Sequence, residues 1–292
     1  MAIEEELQSR SRPLSTGQSR ILPVEARPKM LYENTNAMPL HADGSVLHLG
    51  LKPGQVANRV LSVGSLDRAT MLAEQFDGGK FETHASSRGF TTYTGEVDGV
   101  PVSIVATGMG TPNMDFVVRE SRAVVDGPML IVRFGTCGGV KKDIAPGSVV
   151  VAGRGSVAVT RNPDAYFADA LPDQQCYRVS RVMPSSQRLS TALVESMRAK
   201  LPALRKIPVI ATSADPETLD VLDGLNATAC SFYSSQGGLD LAQRSKGSIR
   251  ATAAVLVISN RHTEQVVAAD VLPALEEFWG GVILRSLAGA TL

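Results

Sequence analysis

Apolar residues in this chain fall into short unbroken runs, and between the runs they return with the spacing of helices. Met129–Val140, MLIVRFGTCGGV, opens with the densest run. Four strand-forming residues without a polar interruption predict a strand covered on both faces, and Met129–Phe134 reads as the central strand. Ala57–Val63 and Gly147–Gly153 predict further strands, and Ile207–Ser213 and Ala253–Ser259 two more that are buried. Leu66–Phe76 carries Leu66, Met71, Leu72 and Phe76 at helical spacing, with Ser65 as N-cap. Phe90–Val97 and Pro101–Ala106 flank Asp98-Gly99, a hairpin signal. Pro112 suits the first turn of a helix reaching about Val125. Ser186–Leu201 predicts an amphipathic helix, and Tyr166–Ser185 has no clear period. From Glu264 the chain is predicted helical, with Pro273 starting a second segment and Gly280-Gly281 weakening it. Residues 1–44 are polar and turn-rich, an extension that is loosely ordered or wraps a neighbour; Ser45–Leu51 is the first apolar stretch. Strands alternating with helices, plus one hairpin, predict a single α/β domain over residues 45–292, a mixed twisted sheet flanked by helices.

Composition narrows the function classes. The 292 residues are 43% apolar and 20% charged, with 29 basic and 29 acidic side chains that cancel. No basic field argues for nucleic acid. The three cysteines, Cys137, Cys176 and Cys230, are too far apart for a zinc pattern and odd in number, which points to a reducing compartment. MAIEEELQ has no apolar core, so no secretory signal is expected, and no run reaches membrane-spanning length. The expectation is a cytosolic protein that engages neither membrane nor nucleic acid.

The candidate chemistry is carried by arginines beside glycines. Arg133 ends the central run, next to Gly135, Thr136, Gly138 and Gly139. A buried arginine is costly without a negative partner, and glycines let backbone N–H groups approach a ligand. Arg133 therefore meets a small anion or is held by an internal carboxylate. Gly64-Ser65 joins a strand to a helix N-terminus, a favourable place for an anion. Arg68, in the first turn of that helix, opposes the dipole unless an anion is present; otherwise it is a solvated surface residue.

Five pieces in order resemble one family, the nucleoside phosphorylases, and within it the uridine phosphorylases. They are VLHLGL at 46–51, VGSLDR at 63–68, SSRGFTTYTGEVDG at 86–99 with ATGMGTPN at 106–113, VRFGTCGG at 132–139, and SFYSSQG at 231–237. The last resembles the uracil-reading segment that separates pyrimidine from purine enzymes. The resemblance implies reversible phosphorolysis of uridine to uracil and ribose 1-phosphate, in pyrimidine salvage. Inorganic phosphate is then a co-substrate, and neither a metal nor an organic cofactor is needed. The chemistry suits the residues: an arginine fork matches phosphate oxygens, and a glutamine amide can read both a carbonyl and an N–H of uracil.

By this resemblance the phosphate site comprises Gly64 through its backbone, Arg68, Arg133 and Thr136, with Arg88 entering from a neighbouring subunit. Arg133 and Thr136 are the catalytic candidates. His48, also from the neighbour, and Thr136 would meet the ribose. Gly138, Phe232, Gln236 and Arg261 would form the base pocket. A homodimer or an assembly of dimers with shared active sites follows. Taken singly, Phe232 also reads as a core aromatic, Gln236 as a surface amide and His48 as a satisfied core histidine.

The chain also departs from the family. Gly238 stands where a base-reading arginine belongs, and LDLAQRSKGSIRATAAVLVISNR follows at once. The family's Glu-Met-Glu element, which binds the ribose hydroxyls, occurs nowhere in the sequence. Its loss would remove a central strand and most of the ribose site. Ser65-Leu66 replaces the usual Asp-Pro, and Gly89 replaces an acid, so no ion site between subunits is expected. An inactive paralogue that binds phosphate or pairs with an active relative is the first rival reading. A purine phosphorylase, a nucleosidase and an unrelated α/β binding protein are the others; SFYSSQG speaks against purines, and three arginines speak against a water-using nucleosidase.

Overall fold

The computed structural model describes residues 38–167, 175–212, 216–224, 226–227, 245 and 247–292. In chain order the elements are β1 (Arg59–Val63), α1 (Leu66–Ala73), β2 (Phe81–Ala85), β3 (Thr91–Val97), β4 (Val100–Ala106), α2 (Thr111–Val124), β5 (Met129–Gly139), β6 (Val149–Val151), β7 (Ser156–Val157), β8 (Val159–Arg161), β9 (Tyr177–Val179), α3 (Gln187–Leu204), α4 (Pro208–Ala211), β10 (Val221–Asp223), β11 (Asn226–Ala227), β12 (Ile249–Asn260) and α5 (Leu272–Gly289). Eight strands form one sheet in the order β10-β6-β12-β5-β1-β4-β3-β2. β4, β1, β5 and β12 are parallel. β3 and β2 extend one edge antiparallel. β6 joins β12 antiparallel on the other side, with β10 parallel to β6. This is the mixed α/β sheet expected of the sequence.

Alternation along the strands sorts the core into two layers. Leu61, Val63, Leu130, Val132 and Phe134 pack with α1, α3 and α5 through Leu72, Leu193, Trp279 and Ile283. Val60, Met129 and Ile131 pack on the opposite face with Met114, Val117 and Val118 of α2 and with Val46, Leu49 and Leu51. Leu40 pairs with Val46, and Met38 and Leu40 lie against this second layer. Residues 1–37 of the N-terminal extension lie outside the described residues. No helix among the described residues is long and apolar enough to cross a membrane.

Local chemistry explains most of the element boundaries. Ser65 caps α1, its hydroxyl accepting from the Arg68 N–H at 3.3 Å. Asp98 and Gly99 both have positive φ, 53° and 73°, as a tight β3–β4 turn requires. Four expectations need correction. The described part of the Ile207–Ser213 run, up to Thr212, is no strand: Pro208 opens the short helix α4, because proline lacks the N–H a ladder needs but suits a first helical turn. β6 is shorter than Gly147–Gly153, being paired only over Val149–Val151. β5 does not stop at Phe134; β12 continues the ladder through Thr136, Cys137 and Gly139. The chain is not helical from Glu264, which has a φ of 58°, and α5 begins at Leu272. Within α5, Gly280 is a contact, since a Cβ there would stand 2.3 Å from Leu72 Cδ2. Its missing side chain lets α5 close on α1.

Candidate active site

β1 lies between β4 and β5, so the chain leaves β1 toward one edge of the sheet and later crosses back past it. Such a reversal opens a crevice at the carboxyl ends of the parallel strands, because the connections on its two sides diverge. Phe134 faces α1, so Arg133, its neighbour on β5, belongs to the α2 face. Arg133 Nη2 donates to the Gly108 carbonyl, 3.3 Å away, in the loop entering α2. Arg68 comes from α1 on the other face, its guanidinium 5.4 Å over the Phe134 ring. β1 ends at Val63, opposite Phe134. Beyond that point no β1 backbone separates the two faces, and the guanidiniums converge on Gly64. A Cβ at Gly64 would stand 3.4 Å from Arg133 Nη2 and 4.0 Å from Arg68 Nη1.

Both arginines are buried, Arg133 at 6% exposure and Arg68 at 8%. Arg68 is thus not the solvated residue of the alternative reading. Burial first, and the charge of Arg68 second, hold the Arg133 guanidinium down at about 9. Two cations meeting at one glycine repel each other, and an anion between them would be held by both. Arg68 also has an internal carboxylate: its Nη2 binds Glu276 of α5. Thr136 is half-buried on β5, opposite Leu256 of β12. Cys137 beside it is a buried thiol pushed up to about 12, which makes it no nucleophile at neutral pH.

Arg88 and His48 stand apart from this group and share another corner. Arg88 is exposed in the turn before β3, two strands from β1, with its N–H on Ser86 Oγ at 3.3 Å. A Cβ on Gly50 would lie 3.4 Å from Ser86 Cβ, so the 46–51 segment touches that turn. His48 is gripped on one side and open on the other, with a side chain 20% exposed. Its ring stacks on Phe116 at 3.7 Å, and Nδ1 lies 2.5 Å from Glu120 Oε1. Within one chain, then, Arg88 and His48 do not complete the group at Gly64.

Gly138 and Arg261 are brought together. A Cβ on Gly138 would meet Arg261 Nε at 2.7 Å, so the missing side chain lets the guanidinium lie directly over Gly138. Asn260 fixes the segment: its Nδ2 donates to the Lys141 and Ile144 carbonyls at 2.9 and 2.8 Å, and its Oδ1 accepts from His262 N at 2.8 Å. Phe232 and Gln236, with the rest of SFYSSQG and Gly238, lie outside the described residues. Among the described residues no group of three His, Cys, Asp or Glu is placed to hold a metal ion. Sequence reading missed Glu276, Glu120 and Asn260. Asn260 sits near the end of the quoted LDLAQRSKGSIRATAAVLVISNR stretch, where a polar residue at the end of a buried strand was a usable signal.

A uridine phosphorylase of the oomycete Phytophthora capsici is 59% identical, with a TM-score of 0.86 over 89% of this chain and 100% of that one. A DeoD-type purine nucleoside phosphorylase of Brevibacillus brevis is 35% identical over 106 residues, 36% of this chain and 44% of the relative. A uridine phosphorylase of Thermococcus kodakarensis is 31% identical over 114 residues, 39% of this chain and 40% of the relative. The chain thus spans less than half the length of these two curated relatives. The family model of the phosphorylase superfamily runs over residues 58–269, from the start of β1 to beyond β12, and includes Gly64, both buried arginines, Gly138 and Arg261. With so much of the sheet and its arginine pair inside that match, the chain belongs to the phosphorylase superfamily.

Proposed function

We propose that this protein is a uridine phosphorylase, which converts uridine and phosphate reversibly to uracil and ribose 1-phosphate in cytosolic pyrimidine salvage. The observation that carries the reading is the convergence of buried Arg68 and Arg133 on Gly64 at the carboxyl end of β1. The 59% identity to the Phytophthora capsici enzyme and the SFYSSQG segment favour uridine over purine nucleosides. Phosphate attacks the anomeric carbon as the glycosidic bond breaks, so the sugar turns cationic and the base anionic. Arg68, Arg133, Thr136 and the Gly64 backbone hold the phosphate in line, and no metal or organic cofactor takes part. Gly138 and Arg261, with Phe232 and Gln236, receive the base.

A homodimer, alone or within a larger assembly, completes the site. The support is the corner that carries both Arg88 and His48 away from Gly64. Arg88→Ala should raise the phosphate KM about 10- to 100-fold, the worth of one charge-assisted hydrogen bond, and leave the melting temperature in place. Steady-state kinetics with phosphate varied checks it; unchanged phosphate dependence counts against sharing.

The test of the whole reading is uracil release from uridine with and without phosphate. Release that requires phosphate supports the phosphorylase; equal release without it refutes the phosphate site. One observation favours a second reading: the ribose-binding Glu-Met-Glu is absent from the sequence. An inactive paralogue would be stabilised thermally by phosphate yet release no uracil.

A further inference from the structure

We infer that Glu276 is a positioning residue of the phosphate subsite, gripping one terminal nitrogen of Arg68 so that the other is presented beside Gly64 and Arg133. The inference rests on the phosphate reading above. Glu276 touches no reacting atom; it acts through Arg68.

The helix crossing brings the pair together. Leu72 lies four residues after Arg68 on α1, and Gly280 lies four residues after Glu276 on α5. Residues four apart share a helix face. The contact of Gly280 with Leu72 therefore sets Glu276 opposite Arg68 one turn earlier on both helices. Both side chains are largely buried, Arg68 at 8% exposure and Glu276 at 15%.

The Arg68 fork is divided between two tasks. Nη2 is taken by Glu276, and Nη1 stands 4.0 Å from the position of a Cβ on Gly64, where Arg133 Nη2 also arrives. The carboxylate thus holds the far side of the guanidinium, and the Phe134 ring supports its plane at 5.4 Å. Without that grip, Arg68 would be pushed away from Arg133 by like charge and would have to be ordered again by each incoming phosphate. A competitor for phosphate would instead take the nitrogen that faces Gly64.

The test is steady-state phosphorolysis of uridine by the full chain, with each substrate varied in turn, for the wild type, Glu276→Ala and Glu276→Gln. Melting temperature and oligomeric state are measured on each protein. Glu276→Ala is expected to raise the phosphate KM about tenfold, the cost of ordering one long side chain on binding, while the uridine KM stays within experimental scatter. Glu276→Gln should raise it less, because its amide oxygen still accepts from Nη2. An unchanged phosphate KM, or equal effects on both substrates, would reduce the pair to a helix tie. A lowered phosphate KM would make Glu276 a competitor. If the alanine variant does not fold, the glutamine variant decides: a phosphate KM above wild type supports the inference, and one at or below it overturns it. Wild-type release that ignores phosphate removes the phosphate reading itself, and this inference with it, before any variant is made. If the wild type does not turn over, calorimetric titration with inorganic phosphate replaces kinetics; weaker binding by Glu276→Ala supports the inference and equal binding overturns it.

Discussion

Arg133→Met is expected to lower kcat/KM for phosphate by about 10²- to 10³-fold, the usual cost of one preorganised donor at a reacting centre, without lowering the melting temperature. Activity and stability part because the charge is uncomfortable in the empty site. Arg133 is buried beside Arg68, and these two causes hold its guanidinium down at about 9. A methionine fills similar space without the charge and removes that repulsion, which offsets the loss of the guanidinium's hydrogen bonds, the 3.3 Å bond to the Gly108 carbonyl among them. The pH dependence has a definite sign. Burial and the charge of Arg68 weaken the guanidinium's hold on its proton, and a bound phosphate strengthens it again. Phosphate should therefore bind more weakly as pH rises into the alkaline range, and Arg133→Met should lack this part of the loss. Phosphate should also raise the melting temperature of the wild type but not of the variant. A variant that keeps wild-type phosphate kinetics would disconnect Arg133 from the reaction.

The sequence carried the fold where side-chain pattern alone decides it. MLIV, bounded by Gly127-Pro128 and the glycines from Gly135 on, favoured a covered strand, and Asp98-Gly99 favoured a tight turn. It failed where partners decide. FGTCGG has little strand preference of its own, yet β5 runs through it because β12 supplies the ladder to Gly139. Conversely, Ile207–Ser213 is apolar enough for a strand, but a run this short does not separate strand from helix, and Pro208 settles the matter.

The same division holds for the site. Each arginine was legible as a cation beside glycine. Their convergence was not, since it arises because β1 ends at Val63 while Arg133 and Arg68 approach from opposite faces of the sheet. Glu276 lies 208 residues from Arg68 and Glu120 lies 72 from His48. Helical spacing assigns each acid to a face but does not name what that face meets. The family resemblance had both Arg88, for phosphate, and His48, for ribose, enter from a neighbouring subunit, and the close approach of Gly50 to Ser86 brings their segments together.

Glu120→Ala should cause the largest loss of stability among the substitutions considered, about 3 kcal/mol, as expected when several donors lose one buried charged acceptor. Glu120 is 2% exposed on α2. Its Oε2 accepts from the backbone N–H groups of His48 and Leu49 at 2.9 and 2.8 Å, and its Oε1 faces His48 Nδ1 at 2.5 Å. One carboxylate thus ties the 46–51 segment to the helix. Alanine would strand two backbone donors and leave the histidine ring held only by its stack on Phe116. The melting temperature should fall by about 5–10 °C, and Glu120→Gln, which keeps one acceptor oxygen, should fall less. Because the segment touches the turn of Arg88, loosening it should also weaken subunit association if that corner completes a partner's site. Thermal melts together with sedimentation over a concentration series read both effects. An alanine variant that melts with the wild type would mean that Val46, Leu49 and Leu51 hold the segment by packing alone.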